Sequence, residues 1–188
     1  MRRFAAAILS ICIANQAGSA IGIDAHGRAA PNASFVTTSM SVARESHTAT
    51  LLPSGKVLLV GGSDGSKALP TAEIYDPRSG VISPAGSLAF ARYAHTATVL
   101  TSGKVLIVGG YDGVSDVTAA EIYDPDSNRV STVASLAVPR RGHTATRLPT
   151  GNVLIAGGFN GSYPTAVELY DAVLGTFTVI TSLLTGRQ

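Results

Sequence analysis

Arg44-Glu45-Ser46-His47-Thr48-Ala49-Thr50 returns 48 residues later as Arg92-Tyr93-Ala94-His95-Thr96-Ala97-Thr98, and again as Arg140-Arg141-Gly142-His143-Thr144-Ala145-Thr146. Other features keep the same phase. Gly61-Gly62, Gly109-Gly110 and Gly157-Gly158 each close an apolar run. Glu73-Ile74-Tyr75-Asp76, Glu121-Ile122-Tyr123-Asp124 and Glu168-Leu169-Tyr170-Asp171 follow. Repetition at a fixed period of this length marks stacked supersecondary units.

One copy can be read as strands and turns. From His47 to Leu52 the residues alternate, which predicts a half-buried strand with Thr outward and Ala49 and Leu51 inward. Pro53-Ser54-Gly55-Lys56 is a turn, and Val57-Leu58-Leu59-Val60 is apolar on both faces, as for a strand held between two sheets. Gly61-Gly62 ends that run, where glycine lets backbones approach closely or take positive φ. A loop through Asp64-Gly65 leads to a third strand, Ala72 to Tyr75. In Asp76-Pro77-Arg78-Ser79-Gly80 Asp caps the turn, Pro fixes φ and Gly takes the left-handed position. A fourth strand runs from about Val81 to Ala85. The expected strands are thus 47–52, 56–61, 72–76 and 81–86, repeated 48 residues on. Four short antiparallel strands that are apolar on both faces cannot bury themselves alone. Radial stacking solves this, and each unit is then a β-propeller blade. A linear β-solenoid usually has shorter turns and lacks such long hairpin loops.

Arg-x-x-His, Gly-Gly after an apolar strand, and the following Tyr-Asp-Pro together resemble the kelch repeat. The version is that of the central domain of galactose-oxidase-like bacterial secreted proteins. The resemblance spans about residues 34–187. It implies an all-β fold: a kelch-type β-propeller arc of three complete four-stranded blades (about 44–87, 92–135 and 140–182) plus one extra N-terminal strand, an incomplete ring. There are departures. Ile82, Val130 and Phe177 stand where kelch blades usually carry a fourth-strand Trp. The third copy has Asp171-Ala172 for Asp-Pro and is one residue shorter between Gly158 and Glu168. Ser39-Met40-Ser41-Val42-Ala43-Arg44 matches Ser87-Leu88-Ala89-Phe90-Ala91-Arg92, so residues from about 34 are expected to form a fourth strand without its own first three. Ser182–Arg187 matches too, with Arg187 opening a further blade. Propellers close with roughly four to eight blades. The chain is therefore read as the N-terminal part of a longer propeller lacking its C-terminal blades, or as a homo-oligomer whose arcs pair head-to-tail.

Residues 1–20 have the pattern of a secretory signal: Arg2 and Arg3, an apolar run from Phe4 to Ala14, and Gly18-Ser19-Ala20 for cleavage after Ala20. The run is too short to span a bilayer. This predicts a secreted or periplasmic protein with no membrane contact after signal removal. Residues 21–33 read as a linker and 34–188 as the repeat region. Cys12 is the chain's one cysteine, so the mature chain has no disulfide and no thiolate. Without Arg2 and Arg3, twelve basic residues balance twelve acidic ones. That argues against a nucleic-acid partner.

The recurring residues are read as structural: Arg44, Arg92 and Arg140; His47, His95 and His143; the Gly pairs; Glu73, Glu121 and Glu168; and Tyr75-Asp76, Tyr123-Asp124 and Tyr170-Asp171. A catalytic group is needed once, a blade contact in every blade. Equivalent His side chains on neighbouring blades would stand ~10 Å apart, too far to share one ion with ligand bonds of about 2 Å unless all three reach the channel axis. No catalytic, cofactor or metal residue is assigned. The crosslinked Tyr–Cys cofactor of galactose oxidases needs a cysteine that the mature chain lacks. The loops after the second strand diverge instead, through Asp64 and Lys67, through Tyr111, Asp112 and Asp116, and through Phe159, Asn160 and Tyr163. Rigid scaffolds carry specificity in such loops. The expectation is a non-catalytic binding scaffold with a protein or carbohydrate ligand on these loops. The competing readings are a fragment of a galactose-oxidase-like or sialic-acid-epimerase-like enzyme with its active site elsewhere, and an inert product of a shortened reading frame.

Overall fold

The computed structural model describes residues 39–187. The signal, the linker and most of the extra N-terminal strand expected from residue 34 lie outside them. The described residues are all-β and form three separate four-stranded antiparallel sheets. The first blade holds β1 (Thr48–Leu51), β2 (Val57–Val60), β3 (Thr71–Asp76) and β4 (Val81–Ser87). The second holds β5 (Thr96–Val99), β6 (Val105–Val108), β7 (Ala120–Asp124) and β8 (Arg129–Thr132). The third holds β9 (Thr144–Arg147), β10 (Val153–Ala156), β11 (Ala166–Asp171) and β12 (Thr176–Ser182). Strands pair in sequence order within each blade. β1, β5 and β9 lie side by side, as do β4 and β8, so the sheets stack radially.

The second blade shows why the runs are apolar on both faces. Val105 and Ile107 of β6 join a cluster with Leu58, Val60 and Leu52 of the first blade. Leu106 and Val108 join another with Val153, Ile155 and Tyr170 of the third. All four β6 side chains are buried, each contributing about 1.5–3 kcal/mol.

The alternation expected in the first strand needs correction. Thr48 and Thr50 do not face solvent while Ala49 and Leu51 face a core; in the middle blade both sides of this strand are blade-to-blade surfaces. Ala97 and Val99 pack on the first blade. Their counterparts in β1, Ala49 and Leu51, are exposed, Leu51 by 67%. The Thr side points to the following blade, where Thr48 Oγ1 meets His95 Nε2 at 3.0 Å and Thr96 Oγ1 meets His143 Nε2 at 2.9 Å.

Each blade is locked by one arginine. Arg92 Nη1 donates to the carbonyls of Gly109 (2.9 Å) and Ala119 (2.6 Å), and Nε donates to that of Phe90 (3.1 Å). Nη2 pairs with Glu121 Oε2 at 2.6 Å, both side chains being fully buried. Glu121 Oε1 accepts the Ala89 N–H at 2.7 Å, which ties the segment entering the blade to its third strand. Arg140–Glu168 (3.0 Å) repeats the arrangement, and Arg44–Glu73 (2.9 Å) does so except that Arg44 Nε is buried without a partner. Burial pushes the Arg92 and Arg140 guanidinium groups down, against the pull of their glutamates.

The Gly pairs let the blades touch. The Gly62 N–H donates to Arg92 O, and that of Gly110 to Arg140 O, both at 2.9 Å. A Cβ on Gly61 would stand 2.5 Å from Arg92 O, and φ is +60° there, so only glycine fits. Gly158 N–H donates to Arg187 O at 2.9 Å in the same way.

Removing one partner of a buried pair strands the other charge. Glu121→Ala is expected to lower unfolding free energy by about 3–5 kcal/mol. Arg92→Lys should also destabilise, because an ammonium cannot reproduce the planar fork. Urea unfolding of both variants checks this; wild-type midpoints would refute the locking role.

Candidate functional site

The segment before the first strand of each blade and the loop after its second strand meet on one face. The residue after each repeat Arg pairs there with the residue after each Gly pair: Glu45 with Ser63, Tyr93 with Tyr111, Arg141 with Phe159. The backbone bonds are 2.9–3.0 Å, so these pairs extend the strand ladder past the glycines. The scaffold is the same in each blade, but the side chains it presents differ.

Across the second and third blades the side chains converge. The Arg141 guanidinium lies over the Tyr111 ring at 4.4 Å and over the Phe159 ring at 5.0 Å. Its Nη1 donates to Asp116 Oδ1 at 2.9 Å. Tyr93 packs edge-on against Tyr111 with centroids 5.5 Å apart, and Tyr163 does so against Phe159 at 5.4 Å. The cation is thus held between two π faces, each worth about 0.5–2 kcal/mol, and the Arg141 side chain keeps 29% exposure. The cluster offers a part-exposed guanidinium fork framed by aromatic edges and the Tyr163 ring.

The structure brings together Tyr111, Asp116, Phe159 and Tyr163 from the loops marked in the sequence. It does not bring Asp64, Lys67, Asp112 or Asn160 into the cluster. Asp64 Oδ1 accepts the N–H groups of Ser66 and Lys67, both at 2.9 Å, and these bonds hold its carboxyl at about 2. Asp112 Oδ1 accepts those of Val114 and Ser115, both at 2.7 Å, and its pKa is lowered for the same reason. Asn160 Oδ1 accepts from Ser162. These three side chains shape their own loops. Lys67 is exposed on the first-blade loop. Tyr93 and Arg141 escaped the sequence reading. The available signal was that the position after the repeat Arg changes from Glu45 to Tyr93 to Arg141 inside an otherwise constant motif.

The remaining recurrent residues lie away from this cluster. Asp76 and Asp124 pair with Lys56 (3.2 Å) and Lys104 (3.0 Å). Tyr123 Oη donates to Asn128 Oδ1 at 3.0 Å, and the Tyr170 ring packs on Phe177. Asp171 caps its turn through the N–H groups of Val173 and Leu174. Tyr75 is half-buried on β3. A cleft of about 430 Å³ lies between the first two blades, lined by Lys56, Ser102, Tyr123, Asp126 and Asn128 among others. Among the described residues no three His, Cys, Asp or Glu side chains are placed to hold a metal ion.

His95 and His143 act between blades. Each uses Nε2 on a Thr of the preceding blade, while Nδ1 is buried without a partner. A proton on Nε2 leaves only the Nδ1 lone pair unmatched; an imidazolium would instead bury an unpaired Nδ1–H together with its charge. Burial, then the nearby Arg, lowers His95 from 6.5 to about 3 and His143 from 6.5 to about 4. The unfolded chain therefore binds more protons below pH 6.5. Stability is full above that value and falls as pH drops toward the folded values, by up to about 1.4 kcal/mol per pH unit for each histidine. Urea midpoints between pH 7 and 5 should fall; His47, lowered in the same direction by burial, adds to the slope, and His95→Gln should remove the His95 share of it and leave the rest. An unchanged slope in the variant would refute the assignment.

The kelch motif family model matches residues 46–81 and 92–137, that is, the first blade up to the start of β4 and the whole second blade. The third blade, with its shortened loop and Ala172 in place of Pro, lies outside the matched residues. No curated protein matches the chain. The first two blades carry kelch motifs, and the three four-stranded antiparallel sheets of the described residues fit a partial kelch β-propeller.

Proposed function

We propose that this chain is an exported, non-catalytic scaffold that binds a protein partner through its loop face. The observation that carries the reading is the Arg141 clamp between Tyr111 and Phe159, built from the positions that vary on a constant frame. Arg and Tyr are enriched among residues that dominate binding energy at protein interfaces. Kelch repeats fit a scaffold role of this kind. The Arg2-Arg3 start and apolar run of residues 1–20 support export.

A protein ligand is favoured over a carbohydrate. A sugar ring stacks on an open aromatic face, whereas Tyr111 and Phe159 each turn a face toward Arg141. Catalysis has less support, because the cluster pairs no nucleophile with a base. Asp116 faces an arginine, and the buried histidines face threonines.

The test is capture from the extracellular fraction of the producing cell, followed by titration of the purified partner. Arg141→Ala and Tyr111→Ala should each weaken binding at least about tenfold. Lys104→Ala, on the opposite face, should leave it unchanged. Binding lost with Lys104→Ala and kept with the loop variants would overturn the proposal.

A further inference from the structure

The outermost strands of the three blades differ in how they treat their free edge. β4, β8 and β12 each occupy the same end of a sheet. β4 carries Pro84, which has no N–H to offer a foreign strand. β8 is only four residues long and begins with Arg129. Short length, proline and charge are the usual ways of blunting an edge. β12 has neither proline nor charge. Its seven residues, Thr176-Phe177-Thr178-Val179-Ile180-Thr181-Ser182, are mostly β-branched or aromatic, a composition that favours strand-to-strand assembly. Among the described residues nothing pairs with its outer edge.

The apolar side chains around β12 are arranged symmetrically. Val179 and Ile180 are 48% and 49% exposed. Leu174 lies five residues before Val179 and Leu184 five after it, and both are exposed, Leu184 fully. An antiparallel pair with its two-fold axis at Val179 sets Thr176 against Ser182, Phe177 against Thr181 and Thr178 against Ile180 of the second chain. Leu174, in the turn before β12, and Leu184, in the bend after it, lie just beyond the ladder at each end. No charge opposes a like charge anywhere along it.

We propose that β12 is a self-association edge on which a second copy of this chain pairs antiparallel about Val179. This mode leaves the blade-to-blade contacts intact. Head-to-tail stacking on the third blade would need the Gly158 N–H, which already donates to Arg187 O of the same chain. A seven-residue edge is ~23 Å long and about one sheet thick, ~10 Å. With the end leucines the pair would bury ~800 Å² in total, below the ~1,200 Å² of a stable interface. The bulge in β12, where Ile180 is skipped between Val179 and Thr181, also interrupts the ladder at its centre. The dimer is therefore weak and concentration-dependent.

Sedimentation equilibrium of the chain as purified, from low to high micromolar, should show a reversible rise from monomer toward dimer. Val179→Lys should weaken this at least about tenfold, as edge lysines do, while Thr132→Lys on β8 should not. In a Cys12→Ser background, Val179→Cys should form a disulfide-linked dimer under mild oxidation and Thr132→Cys should not. A monomer at all concentrations would overturn the proposal, as would association unaffected by Val179→Lys. A free TFTVITS peptide that binds a chain which itself stays monomeric would assign the edge to a foreign strand and likewise overturn it.

Discussion

The structure depends on a guanidinium group removed from water. Arg92 is fully buried, and such a charge is tolerable only when its donors are matched. The blade matches them with two carbonyls at the strand ends, one from its own entry segment and one glutamate. These acceptors come from distant parts of the repeat, so the arginine fixes where the second and third strands end relative to one another. The same glutamate takes the Ala89 N–H, which brings the entering chain into register. The Gly pair follows from this. Its carbonyl must face the guanidinium while its N–H faces the next blade, and the φ values that allow both suit glycine.

With that lock repeated, neighbouring blades meet with little freedom. Apolar side chains of β6 point alternately to the blade before and the blade after. At the inner strands a His–Thr contact joins the apolar packing of Ala97 and Val99, which places a neutral imidazole where a charged one would be costly. The rigidity of this frame lets adjacent loops differ without moving it. Glu45–Ser63, Tyr93–Tyr111 and Arg141–Phe159 occupy equivalent ladder positions and present an acid, two phenols and a cation between rings.

The rim follows a different logic from the centre. Positions in the lock recur because a change there leaves a buried polar group unmatched. Outer strands have no such constraint, and they diverge in length, charge and proline content. Function on this fold is therefore expected at the loop face and along the outer edges, where side chains can change at little cost to stability.

The sequence by itself determined the repeat, the four-strand unit and the antiparallel order, because period, Gly pairs and Asp-Pro turns are local signals. It also marked Arg, His and Glu by their recurrence, and the structure buries the Arg–Glu pairs within the blades. It misled about Thr48 and Leu51: strict alternation looks the same whether one face meets water or a neighbouring sheet, and only the stacking of blades decides which. It marked the loops of the candidate site but not their convergence. Tyr93 and Arg141 precede the first strand and Tyr111 and Phe159 follow the second, so their meeting depends on the ladder running past the glycines. The clamp joins the Arg141 of one blade to the Tyr111 of another, a contact set by the spacing of the blades. Asp64 and Asp112 have the same sequence signal as Asp116, yet their carboxylates are spent on their own loop backbones while Asp116 reaches Arg141. Only the tertiary structure separates them, because a carboxylate's role depends on which donor lies within hydrogen-bond distance, and spacing along the chain does not specify that.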